Sequence, residues 1–365
     1  MIALVLLIGL LLAIQGLMIA RAEAATEGID LNGLEALSRE AGFDAAEYLK
    51  RLVDRSVALD GSFITDALKQ LLEALKAECA DLLSKLAGPV LLGVLVGLFT
   101  DKASGTAGMP GLVCVGGCAL ILMTDFGAAG AAAREALDRA RRTAEAVAPA
   151  LGTAAAAGGM ASTSALMTVV AAQCVDLIEY ALGTLGFGLC SAAASVAVAG
   201  SLSPRFRLEK LFGGMRALHH WLLGAVMLAF AGMTSGGSLM STAADSAALK
   251  TAGTVIERVI PIIGGGLSDA SGALSASTGA LRSALGLTGL ALLIRLCAPP
   301  ILRLVTSMIS LKLASAVIEP FAPEPLATLV DRFGDVIEML FAMCVEACAL
   351  SAVLVAAFLR VVGRL

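Results

Sequence analysis

The chain has 365 residues, of which 58% are hydrophobic and 15% are charged, and its net charge is −4. Soluble domains contain about 45–50% apolar and about 25% charged residues, so the composition argues against a soluble enzyme and favours a lipid bilayer as the solvent. A nucleic-acid partner would require a basic face, which the acidic balance argues against. Because helices satisfy their own backbone in lipid, we predict an all-α, polytopic helical membrane protein.

The N-terminal region is predicted to carry an export signal and an extracytoplasmic segment. Residues 1–22 form an apolar run that ends in small residues, a pattern typical of a signal peptide. A retained signal anchor is the alternative, since no positive charge precedes the run. Residues 23–85 hold thirteen acidic and seven basic side chains, and apolar residues recur at helical spacing after an expected N-cap at Ser62. We therefore predict a short amphipathic helical region outside the cytoplasm.

Residues 86–365 are predicted to form the polytopic membrane domain. A spanning helix needs about 20 apolar residues, a length that some of the apolar runs reach and others do not. We predict about six to eight membrane helices, some of them short or re-entrant, and the run 149–172 is the weakest span. The runs are 88–101, 111–130, 149–172, 177–200, 217–241, 284–298, 301–318 and 335–359.

Two segments are predicted to break the backbone of a helix. Pro299 and Pro300 divide two short apolar runs, and an intact helix does not accommodate proline in its interior, so these runs are predicted as a hairpin or as half-helices. Pro261 is followed by three glycines that permit a tight backbone, and no phosphate-loop Lys-Ser/Thr pair follows them. The glycines are Gly264, Gly265 and Gly266.

Small residues predict where the helices pack against one another, and basic residues predict on which side of the membrane each loop lies. Two GxxxG pairs are expected at close helix–helix contacts. Residues 203–216 carry four basic side chains against one acidic and are predicted to be cytoplasmic, whereas 319–333 carry three acidic against one basic and are predicted outside. The glycine pairs are Gly93 with Gly97 and Gly232 with Gly236.

Ionisable residues within spans are candidate functional residues, because each costs a few kcal/mol at mid-bilayer. Glu346 lies near the middle of the run 335–359, and Glu338 lies near the same face. Together with Arg295 they are the candidate pore or polar-pathway residues, and a hydrogen bond to a neighbouring helix is the alternative role for Glu346. The eight cysteines and two histidines lack the spacing of a zinc site, and no catalytic set is visible. We expect no catalytic residue, metal or cofactor.

Several blocks of sequence, in this order, resemble the stage III sporulation protein AE family of endospore-forming bacteria. Each block is weak by itself, whereas the ordered series is fairly specific. The blocks are APAL (148–151), GG (158–159), Trp221, IPIIG (260–264), SDA (268–270), ALGLTG (284–289), CAP (297–299) and LASAVIEP (313–320).

This resemblance implies a membrane component of a sporulation-specific, secretion-like channel complex that links the mother cell and the forespore. The implied location is the mother-cell membrane around the forespore, and the implied partners are membrane lipid, the other stage III A-series membrane proteins and, indirectly, stage II sporulation protein Q. The family has no assigned catalytic residues. A self-contained secondary transporter is the alternative function, because transporters also use interrupted helices.

Overall fold

The computed structural model describes residues 32–41, 109–157, 161–202, 208–259 and 264–362, together with seven single positions between Glu73 and Val94. Side chains between 235 and 283 are not part of this description. The predicted signal at 1–22, most of the segment 23–85, and Gly93, Gly97 and Pro261 lie outside the described residues.

The described part of the chain is helical and contains no strand, which confirms the predicted all-α class. A π-helical segment, Glu179–Gly186, joins α3 to α4 without a break. The helices are α1 (Asn32–Glu40), α2 (Met109–Ala157), α3 (Ala161–Ile178), α4 (Phe187–Leu202), α5 (Glu209–Val259), α6 (Gly264–Ile318) and α7 (Glu324–Val362).

Within the described residues, five helical stretches are long and apolar enough to cross a membrane. This supports the prediction of a multi-span membrane protein; the predicted total of about six to eight spans also counts the run 88–101, most of which lies outside the description. The five stretches are Val113–Ala156, Ser164–Leu202, Glu209–Thr234, Ala284–Ile318 and Glu324–Phe358.

The sequence predicted the apolar run 149–172 as the weakest span, and in the structure this run is not a span of its own. Its first residues end α2 and its last residues belong to α3, and the Ser164 hydroxyl donates to the Gly152 carbonyl over 2.7 Å. The two helix ends therefore lie side by side. Helix α3 then continues through residues 173–176 into the predicted run 177–200, because this junction contains no proline or glycine that would end it.

The predicted break at Pro299 and Pro300 is also wrong. Helix α6 runs without interruption from Gly264 to Ile318 with both prolines inside it, so the runs 284–298 and 301–318 form one helix instead of a hairpin. The glycines Gly264, Gly265 and Gly266 form the first turn of α6. Helix α5 ends at Val259, and residues 260–263, with the predicted break at Pro261, lie outside the described residues.

Contacts between α2 and its neighbours fix the directions of the helices. The Cys344 and Ser351 side chains donate to the Ala133 and Ala140 carbonyls over 3.6 and 3.5 Å, so α7 runs parallel to α2. The Arg303 guanidinium lies 3.7 Å from the Glu135 carboxylate, whereas Gly289 of α6 packs against Val147, near the other end of α2. Helix α6 is therefore antiparallel to both.

Residues 208–216 and 319–333 lie at the same end of the bundle, whereas we predicted that the segments 203–216 and 319–333 lie on opposite sides of the membrane. The Arg332 guanidinium lies 3.6 Å from the Glu209 carboxylate, and Arg216 lies 3.1 Å from Asp335. The charge counts misled because several of the counted side chains pair within the protein. Arg216 pairs with Asp335 and Glu338, Glu209 with Arg332, and Asp331 with Lys312.

The closest helix contacts use glycines that the sequence did not single out. A Cβ atom at Gly289 would lie 2.7 Å from a methyl group of Val147, and one at Gly186 would lie 2.8 Å from the sulfur of Met343. At Gly232, which we predicted to be a packing glycine, a Cβ atom would meet no heavy atom within 4 Å. Gly232 therefore makes no close helix contact of this kind among the described residues.

Candidate functional site: charged layers and a groove

Two layers of charged side chains cross the bundle at different heights. The first joins the start of α5, the end of α6 and the start of α7, and we name it the three-helix network. Asp335 lies at its centre and forms ion pairs with Lys312, at 2.5 Å, and with Arg216, at 3.1 Å. Asp331 also pairs with Lys312, at 2.8 Å, and Glu338 with Arg216, at 3.0 Å.

The second layer lies on the middle of α2, and we name it the α2 belt. Glu135 pairs with Arg139 at 2.6 Å, and Arg142 pairs with Asp138 at 2.7 Å. Arg141 reaches Glu145 at 3.0 Å. Outside α2, the belt contacts Glu40 of α1, Glu179 of the π-helical segment and Arg303 of α6, at 3.9, 3.9 and 3.7 Å.

Arg139 also explains why α6 continues through its prolines. Proline has no backbone N–H, so Pro300 cannot donate to the Leu296 carbonyl four residues earlier. The Arg139 guanidinium donates to this carbonyl over 2.7 Å. A charged side chain of α2 therefore supplies one hydrogen bond that the proline removes from α6, and a sequence pattern within α6 alone cannot show it.

The three candidate polar-pathway residues do not lie together. Glu338 belongs to the three-helix network. Arg295 is half-buried and precedes Leu296, so it lies near the level of the α2 belt. Glu346 lies on α7 between the two residues that contact Ala133 and Ala140, which is also the level of the belt. A shared pathway role for the three residues stays a prediction.

Three buried polar atoms, on the side chains of Glu346 and His219, lack hydrogen-bond partners within the described residues. One carboxylate oxygen of Glu346, Oε1, is buried with no hydrogen-bond partner there, and so are both ring nitrogens of His219. His219 is 0% exposed, whereas the neighbouring Trp221 is 70% exposed. The exposed indole fits an anchor at the membrane interface. The sequence did not predict the burial of His219, because neither charge nor spacing distinguishes it from His220.

A groove runs between α2 and α6, and α7 forms part of its floor. Its volume is about 310 Å³, and its lining combines small apolar side chains with carboxylates, hydroxyls and one guanidinium. The lining residues are Asp125, Ala128, Ala129, Ala131, Ala132 and Glu135 of α2, Arg303, Ser307, Ser310 and Leu311 of α6, and Ile337 of α7.

Among the described residues, no cluster of three or more His, Cys, Asp or Glu side chains could hold a metal ion. The seven described cysteines are free, and six of them are buried. Cys297 and Cys344 donate to backbone carbonyls of α2, which fits a packing role at the contacts between helices.

The comparison with known families identifies the family of the chain. The sequence profile of the stage III sporulation protein AE family matches residues 43–362, which is most of the chain. The chain belongs to this family. The resemblance inferred from the sequence blocks is therefore confirmed, and membership of the stage III sporulation protein AE family implies a role in sporulation.

A relative in this family is the stage III sporulation protein AE of Bacillus subtilis (strain 168). It is 22% identical over 150 residues, which cover 41% of this chain and 38% of the relative. The alignment thus spans less than half of either protein. No solved structure matches the chain.

Proposed function

We propose that the protein is a membrane component of a sporulation-specific, secretion-like channel complex that links the mother cell and the forespore and is needed for late forespore development. The observation that carries the proposal is the family match over residues 43–362, which includes all five apolar helical stretches. We propose the mother-cell membrane around the forespore as its location. Its proposed partners are the other stage III A-series membrane proteins and, indirectly, stage II sporulation protein Q.

The two charged layers support a membrane-crossing part that lies between them. Along α6, Lys312 of the three-helix network is nine residues from Arg303 of the belt and sixteen from Leu296, which Arg139 of the belt contacts; these separations are about 14 and 24 Å at a rise of about 1.5 Å per residue. Both are less than the hydrocarbon thickness of about 30 Å. Local thinning and long Lys and Arg side chains reduce this difference.

The helical parts beyond the α2 belt would then project from the membrane on one side. They include the paired ends of α2 and α3, and α1 packs there: Leu34 and Leu37 are buried, and Gly33 approaches Ala146. If residues 23–85 are exported, as the sequence predicts, this projecting part lies outside the mother-cell cytoplasm. It is then available to partner proteins between the two membranes.

We assign the protein no enzymatic activity. The alternative of a self-contained transporter rested on short, interrupted helices, and the continuity of α6 through Pro299 and Pro300 removes that support at this position. The channel-complex function is therefore favoured over the transporter.

A gene deletion in the sporulating host tests the proposed function. We expect normal growth, completed engulfment, and loss of late forespore gene expression measured with a forespore reporter. Expression of the gene from a mother-cell promoter should restore spore yield, whereas expression from a forespore promoter should not. Normal spore yield after deletion, or a defect during vegetative growth, would contradict the proposal.

The proposed partners are tested by affinity purification from crosslinked, sporulating cells. The stage III A-series proteins should co-purify with the tagged chain, and an unrelated multi-span protein expressed at the same stage serves as the control. Purification of the chain without any A-series protein would remove the complex from the proposal.

A further inference from the structure

Aromatic and small side chains form a close contact between α2 and α4, which we name the α2–α4 seam. The ring of Phe187, the first residue of α4, stacks on the ring of Phe126 with their centroids 6.3 Å apart. A Cβ atom at Gly130 would lie 3.1 Å from the Phe187 ring, and the guanidinium carbon of Arg134 lies 4.1 Å from the centroid of this ring. Because Phe126, Gly130 and Arg134 are spaced by four residues, they share one face of α2.

Arg134 differs from the other arginines of α2 in its partners. Arg139, Arg141 and Arg142 each pair with a carboxylate of the belt, whereas Arg134 is exposed and forms no ion pair with a described residue. Its contact with Phe187 uses the flat face of the guanidinium, so the N–H groups at the edge remain available to an anion. A charge that faces lipid without a counter-charge is unfavourable, and an anionic ligand at the seam removes this cost.

A hydroxyl group lies at the same height as this guanidinium. Two contacts set the register of the π-helical segment and α4 on α2: Glu179 lies 3.9 Å from Arg141, and Phe187 packs over Gly130. Thr184 lies between Glu179 and Phe187 in the chain and is exposed. Interpolation between the two contacts places it level with the exposed arginine. The seam therefore presents a cation from α2 and a hydroxyl from the π-helical segment, a kind of element that is frequent at functional sites.

The surface on one side of this polar pair is apolar and open. Arg134 directly precedes Glu135 of the belt, so the pair lies at the edge of the membrane-crossing part proposed above. Leu120, Gly127 and Arg134 are spaced by seven residues and lie on one face of α2, and Leu120 is 73% exposed. At Gly127, and at Gly188 of α4, a Cβ atom would meet no heavy atom within 4 Å. A polar end thus continues into an open apolar surface that runs toward the bilayer centre.

We propose that the α2–α4 seam binds an anionic phospholipid, whose phosphate contacts the Arg134 guanidinium and the Thr184 hydroxyl. Guanidinium groups bind phosphate oxygens through paired hydrogen bonds, and basic pockets between membrane helices bind the head groups of anionic lipids. The acyl chains lie along Gly127 and Leu120. The net charge of the lipid matters because no carboxylate among the described residues neutralises Arg134, whereas a zwitterionic lipid brings a cation of its own.

The inference rests on the placement of the α2 belt at the bilayer edge, which belongs to the proposed function, and it is independent of the proposed partners. It is tested by native mass spectrometry of the purified full-length chain in detergent, titrated with phosphatidylglycerol or with phosphatidylcholine. The unchanged chain should bind phosphatidylglycerol at least tenfold more tightly than phosphatidylcholine. Arg134→Met should remove this preference. Thr184→Val should weaken phosphatidylglycerol binding by about two- to tenfold, as expected for one hydrogen bond.

Arg142→Met is the matched control for Arg134→Met. It removes the same charge from the same helix, but the Arg142 guanidinium pairs with Asp138 at 2.7 Å, so the affinity for phosphatidylglycerol should stay within twofold of that of the unchanged chain. Equal losses in the two variants would show a general attraction by net charge and would overturn the proposal. An unchanged affinity in Arg134→Met, or equal binding of the two lipids by the unchanged chain, would also overturn it.

Inorganic phosphate distinguishes a lipid site from a site for a soluble anion. A large excess of inorganic phosphate should not displace phosphatidylglycerol, because it lacks the acyl chains that contact the apolar part of the seam. Displacement would overturn the proposal in favour of a soluble phosphate compound. Lipid binding by the purified chain does not depend on sporulation, so failure of this site is distinguishable from failure of the proposed function, which the deletion phenotype reports.

Discussion

Helices α5 and α7 both meet the length and composition of a membrane span, but they occupy different environments. In α7, 72% of the most apolar stretch is buried inside the protein, whereas in α5 the share is 17%. Fully buried α7 side chains include Phe333 and Leu340, whereas α5 exposes Trp221 and Leu228. An apolar helix is therefore not by itself evidence of a lipid-facing surface, since α7 forms the centre of the bundle.

Helix α5 contacts the bundle along a single stripe. Phe212, His219, Val226 and Phe230 are buried, at spacings of seven, seven and four residues that place them on one helical face. Arg216 lies on the same side and pairs with α7. Over the described side chains of α5, 209–234, most of the other exposed positions are apolar, which suits contact with lipid or with another membrane subunit.

The largest expected effect comes from truncation of matched leucines in the two helices. Leu340→Ala in α7 should lower the free energy of unfolding by about 2–5 kcal/mol, because it leaves a cavity among packed side chains. Leu228→Ala in α5 should change it by less than about 0.5 kcal/mol, as for an ordinary exposed position. Thermal unfolding in detergent, followed by reaction of the buried native cysteines with a fluorescent thiol reagent, measures both. Equal losses would show that α5 is packed as tightly as α7.

The next effect concerns the hydrogen bond from α2 to the proline region of α6. Arg139→Met should destabilise the protein by about 1.5–3 kcal/mol, because a hydrogen bond to a charged group is lost and the Leu296 carbonyl is left without this donor. Arg142→Met is the control, since its pairs with Asp138 and Glu40 are more exposed and such pairs contribute about 0–1 kcal/mol. The same unfolding assay compares them, and an Arg139 variant as stable as the control would contradict this account of α6.

A smaller effect is expected from addition of a methyl group at a glycine. Gly289→Ala places a Cβ 2.7 Å from Val147 and should cost about 1–3 kcal/mol through overpacking. Val147→Ala in the same chain should recover part of the loss. Gly232→Ala in α5 has open space and should be neutral or slightly stabilising, since alanine favours helix over glycine. A neutral Gly289→Ala would mean that α2 and α6 can separate at this contact.

The sequence predicted the helical membrane class, the family and the approximate position of α7, because these depend on composition, hydrophobic runs and block order. It did not predict the continuity of α6, because the donor that supports it, Arg139, lies far away in the chain. Nor did it locate the contact glycines: GxxxG spacing marks Gly232, whereas Gly289 is identified only by its neighbour Val147 on another helix.

The sequence did not predict the groove between α2 and α6 either. Its alanines look like ordinary helix residues, and its charged side chains come from helices that are distant in sequence. Hydropathy treats Glu135 and Arg303 as separate interruptions of apolar helices, although the structure pairs them across α2 and α6. Sites formed between helices depend on tertiary packing, and no local pattern encodes it.

The smallest expected effect is that of Glu346→Gln. Glu346 lies three turns after Asp335 on the same face of α7, it does not line the α2–α6 groove, and its Oε1 atom is buried without a hydrogen-bond partner among the described residues. Glutamine keeps the shape and removes the charge, so we expect stability to change by less than about 1 kcal/mol and spore yield to stay normal. Glu338→Gln is the contrast, because it weakens the pair with Arg216 and should lower the melting temperature. If Glu346→Gln abolishes late forespore expression at a normal protein level, the Glu346 carboxylate has a functional role, as predicted for a polar-pathway residue.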